Sequence, residues 1–154
     1  AICIQMIITP ATQRLAYLCS CVPTILSELD QDTWVEKPFP EKWSKLEILG
    51  HLVDSAIHNH QRLVRAHMED VPMITYDQDQ WVYQNRYQLA NAEHLIAFWS
   101  VYNQHLLHLV QTMPAASWSL RCKVGTSEVL TLENIFINYV THLEHHLHQI
   151  ISYE

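Results

Sequence analysis

Glycine is nearly missing from this chain: of its 154 residues only Gly50 and Gly125 are glycine. Apolar residues recur along it every three or four positions more than every two, so the sequence reads as mainly α-helical. A first helix is expected from about Thr9 to Leu29, with Pro10 in its first turn and Pro23 as a kink. Leu15, Leu18, Val22, Ile25, Leu26 and Leu29 form its apolar stripe. Ser44 and Glu47 make a capping-box pair, which starts a second helix near Lys45 through LEILGHLVDSAIHNHQRLVRAHM. A third begins after Asn91 and stops before Pro114, with Leu95, Phe98, Trp99, Tyr102, Leu106 and Leu109 on its apolar side. Thr131 caps a last helix, LENIFINYVTHLEHHLHQIISY.

Two stretches break this period. From Glu69 to Ala90 the chain gathers Asp, Gln, Pro and Tyr and reads as a long connection. Between Ser117 and Leu130 apolar and polar residues alternate around Gly125, as in a short β-hairpin. The expectation is an all-α four-helix bundle with a small hairpin before the fourth helix, one domain covering residues 1–154.

A formal charge of -7 with only 9 Lys and Arg leaves no basic stripe for nucleic acid. No apolar run approaches the roughly 20 residues that span a bilayer, which argues against a membrane protein. Cys3, Cys19, Cys21 and Cys122 form no C-x-x-C pair and no dense framework, a pattern that fits reduced thiols in a cytoplasm.

Eleven histidines remain to be explained, and all fall in the second, third and fourth helices. In the fourth, His142 and His146 are separated by about 40° around the axis and about 6 Å along it, a spacing at which two imidazoles can meet one metal. His145 and His148 point off that line. A metal centre with an open position takes three protein ligands, so a third must come from elsewhere. The second helix offers His51, His58, His60 and His67. His51 stands apart because it follows Gly50, a residue that costs roughly 1 kcal/mol in a helix interior and so marks a close approach by backbone or ligand. It also lies near the start of its helix, while His146 lies near the end of the fourth, so the two meet if those helices run antiparallel. That requires an up-down-down-up order, with the Glu69–Ala90 crossover running the length of the bundle.

On these residues the chain resembles the DinB-like, or YfiT-like, superfamily of metal-binding four-helix bundles. KWSKLEILGHLVDSA is similar to the second-helix motif of that family and HLEHHLHQI to its terminal H-x-x-x-H motif, although His148 stands where members often have Gly. The resemblance implies His51, His142 and His146 as ligands of a divalent transition metal such as zinc or nickel. It also implies a frequent homodimer and, in characterised members, transfer reactions with a low-molecular-weight thiol or metal-assisted hydrolysis of a small molecule.

Three neutral imidazoles would leave such a cation its full charge, favouring ionisation of a water or thiol at the open position. Asp54, one turn beyond His51, is a candidate to orient an imidazole or take a proton. Tyr139, three residues before His142, is a candidate hydrogen-bond donor into the cavity. Trp81, Tyr83 and Tyr87 in the crossover are candidates to cover its mouth. The competing reading is a non-catalytic metal-binding stress-response or helical interaction protein, in which the ion only fastens the second helix to the fourth.

Overall fold

The computed structural model describes residues 2–154, with side chains described from Ile8 onward. Five helices and one two-stranded sheet follow in order: α1 (Ile2–Ser27), α2 (Lys45–Arg65), α3 (Gln78–Asn85), α4 (Ala92–Thr112), β1 (Arg121–Lys123), β2 (Val129–Thr131) and α5 (Leu132–Leu147). The four long helices make an up-down-down-up bundle. Each of α1 and α2 packs on both α4 and α5, so α1 and α2 lie on one diagonal and α4 and α5 on the other. Joining α2 to α4 with the same direction needs a crossover along the bundle, and the chain between Arg65 and Ala92 provides it.

Local chemistry explains where the helices start. Ser44 accepts from the Glu47 amide while the Glu47 carboxylate accepts from the Ser44 amide, closing the capping box of α2. Asn91 accepts from the His94 amide at α4, and Thr131 from the Asn134 amide at α5. The stripes then meet in one core, with Leu15, Leu18, Val22 and Leu26 of α1 fully buried beside Leu49 and Leu52 of α2, Trp99 and Leu106 of α4, and Phe136 and Leu143 of α5.

Four features differ from the sequence expectation. α1 begins well before Thr9, so Pro10 and Pro23 both lie inside it, and burial of the stripe on either side carries the helix through them. The crossover contains a helix, α3, whose start is capped by Asp77 through the Gln80 amide. On α4, Phe98 is exposed and Ile96 and Val110 fill the core instead. α5 stops at Leu147 rather than continuing to Tyr153, and a turn over His148–Ile150 brings Ile150 and Ile151 back onto the core. The expected hairpin is present, with Arg121 opposite Thr131 and Lys123 opposite Val129.

Gly125 lies in the bend that joins β1 to β2, yet neither it nor Gly50 takes a left-handed conformation. The left-handed residues among those described are Val71 and Arg86, both in the crossover, the second of them ending α3. Gly50 serves packing: a Cβ there would stand 2.2 Å from two atoms of the Tyr87 ring. The close approach inferred from the sequence is therefore made by neither backbone nor ligand, but by an aromatic side chain of the crossover.

Candidate metal centre

His51 lies seven residues into α2, fully buried, and His142 and His146 lie half-buried in the last turns of α5. The antiparallel pairing of α2 with α5 brings the three together. His51 Nε2 and His142 Nε2 are 3.2 Å apart. The His51 ring centroid is 5.0 Å from that of His142 and 4.7 Å from that of His146, and the two α5 rings are 4.6 Å apart. One ring nitrogen from each lies within 4.8 Å of the others, and among the described residues no fourth His, Cys, Asp or Glu joins the group.

The donors fit a divalent metal. Tetrahedral nitrogen ligands at roughly 2.0–2.1 Å stand roughly 3.3–3.4 Å from one another, close to the observed separation of the two Nε2 atoms. Protonation does not compete near neutral pH. Burial, helped by the neighbouring imidazoles, holds His51 down to about 3 and His142 to about 4. His146 is also lowered, chiefly by burial, although its bond to Gln149 opposes the shift.

The surroundings orient these rings. His146 Nδ1 pairs with Gln149 Oε1 at 2.8 Å, which fixes that nitrogen as the donor and leaves Nε2 with its lone pair free. Trp43, just ahead of the α2 cap, lays its ring 4.9 Å from His51 and 6.4 Å from His146, shielding one side of the cluster. Gln149 is signalled in the sequence by its place on the His142–His146 stripe. Trp43 has no such signal, because only the fold brings it over His51. His145 and His148 are exposed, as their helical angles imply.

Asp54 is fully buried one turn after His51. Its Oδ1 accepts from the Tyr87 hydroxyl at 2.6 Å and from Asn85 Nδ2 at 3.4 Å, whereas Oδ2 and the Nδ1 of His51 are both buried with no hydrogen-bond partner among the described residues. Burial raises Asp54 to about 6, although the Tyr87 bond pulls the other way. Gly50 thus has a second consequence, since the ring it admits carries the hydroxyl that holds Asp54. Tyr139 is buried, and its hydroxyl donates to Asn103 Oδ1 on α4, not into the site. Of the crossover aromatics, Tyr87 packs on α2, Trp81 stands edge-on to His58 at 4.3 Å, and Tyr83 is exposed.

Two cavities flank the cluster. A cleft of about 830 Å³ between the α1–α2 connection and the start of α3 has Trp43, His146 and Gln149 in its wall. A smaller cavity of about 280 Å³ between α2, α5 and the hairpin has Arg62, Tyr76, Tyr139 and His142 in its wall. Asp54 lines neither.

The sequence profile of the DinB superfamily matches residues 22–150, a span that contains all three histidines. The chain belongs to the DinB superfamily. No curated protein matches it in sequence. Among solved structures, YfiT from Bacillus subtilis, described as a probable metal-dependent hydrolase with an unusual four-helix bundle topology, superposes with a TM-score of 0.83 at 21% identity. That alignment covers 92% of this chain and 82% of YfiT. A mutant of the mycothiol-dependent maleylpyruvate isomerase superposes with a TM-score of 0.78 at 13% identity, covering 95% of this chain and 61% of that one. At these identities the likeness is one of fold: this DinB bundle shares the helix order of both. Among its described residues no helix is long and apolar enough to cross a membrane.

Proposed function

We propose that the chain is a metal-dependent enzyme acting on a small molecule, with His51, His142 and His146 as ligands of a divalent transition metal, zinc or nickel. The carrying observation is that three convergent imidazoles have no fourth protein donor among the described residues and stand between two cavities. A purely structural centre is normally closed by four protein ligands, so this arrangement favours an open position and hence catalysis. When bound, such a metal supplies Lewis acidity that lowers the pKa of a water or thiol at that position.

The chain's own groups do the rest. His51, His142 and His146 remain neutral at pH 7 and offer lone pairs without first losing protons. Gln149 keeps His146 in one tautomer, and Trp43 excludes water from one side of His51. Asp54, one helical turn after His51 in the sequence, acts as a positioning residue; its Oδ2 and the Nδ1 of His51 are both buried with no hydrogen-bond partner among the described residues. Tyr139 is assigned to holding α5 against α4 through Asn103. Separate cavities at His146 and His142 favour a reaction of two substrates, a low-molecular-weight thiol and a small electrophile, over hydrolysis. The neighbour described as a mycothiol-dependent isomerase is in keeping with a thiol co-substrate, and the one described as a probable metal-dependent hydrolase with a metal-activated water.

Replacing the metal with cobalt(II) tests this reading. Adding 2-mercaptoethanol should produce a thiolate-to-metal charge-transfer band, and removing the metal should leave the far-ultraviolet circular dichroism helical. An unchanged cobalt spectrum together with loss of helix on chelation would assign the metal a structural role.

A further inference from the structure

The smaller cavity contains a cation, Arg62, that no carboxylate among the described residues pairs with. Arg62 is half-buried on α2, eleven residues after His51, which places it about three turns further along and within about 20° of the same stripe. Long helical side chains lean toward the helix N-terminus, so the guanidinium reaches back in the direction of the histidines. Its Nε donates to the Ile74 carbonyl at 3.2 Å, Nη2 to the same oxygen at 2.9 Å, and Nη1 to Asn59 Oδ1 at 3.2 Å. These are neutral acceptors, and they use three of the five guanidinium N–H groups, leaving two.

Among the described residues Arg62 has no carboxylate within 4.0 Å; the ion pairs are Arg14–Glu144, Lys37–Glu47 and Arg65–Glu69. Glu128, exposed on the hairpin side of the cavity, makes no ion pair with it. Burial lowers the guanidinium's pKa, as expected of a charge that has lost water without gaining a counter-ion. Holding a charge this way is costly unless something completes it, and a neutral amide could have pinned Ile74 equally well. The other walls carry Ser55, Asn59 and Asn138 with Leu130 and Ile135, and His142 closes the same space.

We propose that this cavity binds the carboxylate of the substrate, held by Arg62 at one end while His142, the one of the three histidines in its wall, stands by the reacting group at the other. The inference rests on the metal-enzyme reading above and narrows its substrate class to short-chain organic acids with an electrophilic group a few carbons from the carboxylate. The volume, about 280 Å³, lies just under the roughly 300–1,000 Å³ of drug-sized pockets and suits an acid of a few carbons. Guanidinium and carboxylate match as a two-pronged, charge-assisted pair, which explains arginine here in place of lysine.

Calorimetric binding to the zinc-loaded protein tests this with the monohydroxamates of succinic, glutaric and adipic acids, whose hydroxamate takes a metal and whose carboxylate is free. Each is paired with its analogue in which the carboxylate is a primary amide. At one spacer length the carboxylate form should bind at least ten-fold tighter than the amide. Arg62→Gln should erase that preference and Arg62→Lys retain part of it, with circular dichroism confirming that both variants fold. Equal affinity of each acid and its amide in the unmodified protein overturns the carboxylate site while leaving the metal centre standing. If neither form binds although zinc is retained, the open metal position is wrong and the substrate proposal falls with it.

Discussion

Gly50→Ala offers a test in which two arguments predict opposite signs. Helix propensity alone says that alanine in the interior of α2 stabilises by about 1 kcal/mol. Packing says otherwise, because the new methyl would sit 2.2 Å from Cγ and Cδ2 and 2.6 Å from Cε2 of the Tyr87 ring. A rigid ring cannot yield by bending, so it must leave its site. Tyr87 is only 8% exposed, and giving up half of an aromatic side chain's burial costs about 2 kcal/mol. Its hydroxyl also leaves Asp54, a buried carboxyl that has no other short hydrogen bond, for about 1–3 kcal/mol more. Net of the propensity gain, the substitution should destabilise by about 2–4 kcal/mol, or on the order of 6–12 °C in Tm.

Urea unfolding of a two-by-two set with Tyr87→Ala measures the coupling directly. In the Tyr87→Ala background the same Gly50→Ala change should be neutral or stabilising. A Gly50→Ala protein more stable than its parent would refute the assignment of Gly50 to ring packing.

Acid should weaken the metal-free fold through its histidines. The contribution of His51 and His142 is complete above their unfolded value of 6.5 and declines as pH falls toward about 3 and 4. Asp54 works in the opposite sense: its contribution is complete below 3.8 and lost as pH rises through about 6. At pH 5 His51 costs about 2 kcal/mol, with less from the partly solvated His142, and Asp54 returns about 1. Unfolding curves should therefore give a metal-free protein about 1–2 kcal/mol less stable at pH 5 than at pH 7.5, and a flat profile would contradict the burial of these rings. Gln149→Ala should weaken zinc affinity about ten-fold with little change in circular dichroism, and unaltered affinity would remove Gln149 from the site. Ser44→Ala should cost about 1 kcal/mol through the α2 cap, measured by urea midpoint.

The helix starts were legible because capping is local: Ser44 with Glu47, Asn91 and Thr131 lie within three residues of the amides they satisfy. His142 and His146 were legible for the same reason, since one helical turn sets their separation. His51 could be picked out through Gly50, yet the cause lies in Tyr87, thirty-seven residues later, and no local pattern announces that. α3 escaped notice because Val82 is its single buried residue, too little to generate a periodic stripe. The end of α5 was misplaced because Ile150 and Ile151 continue the apolar pattern while reaching the core from a turn. Trp43 and Arg62 acquire meaning only from where the bundle places them.

Elemental analysis of the purified protein beside His51→Ala and His142→Ala measures the convergence of α2 and α5 on one ion. The account predicts about one zinc or nickel per chain in the parent and its loss from both variants, with helical content preserved. Stoichiometric metal retained in either variant would mean that the ion is held by other residues.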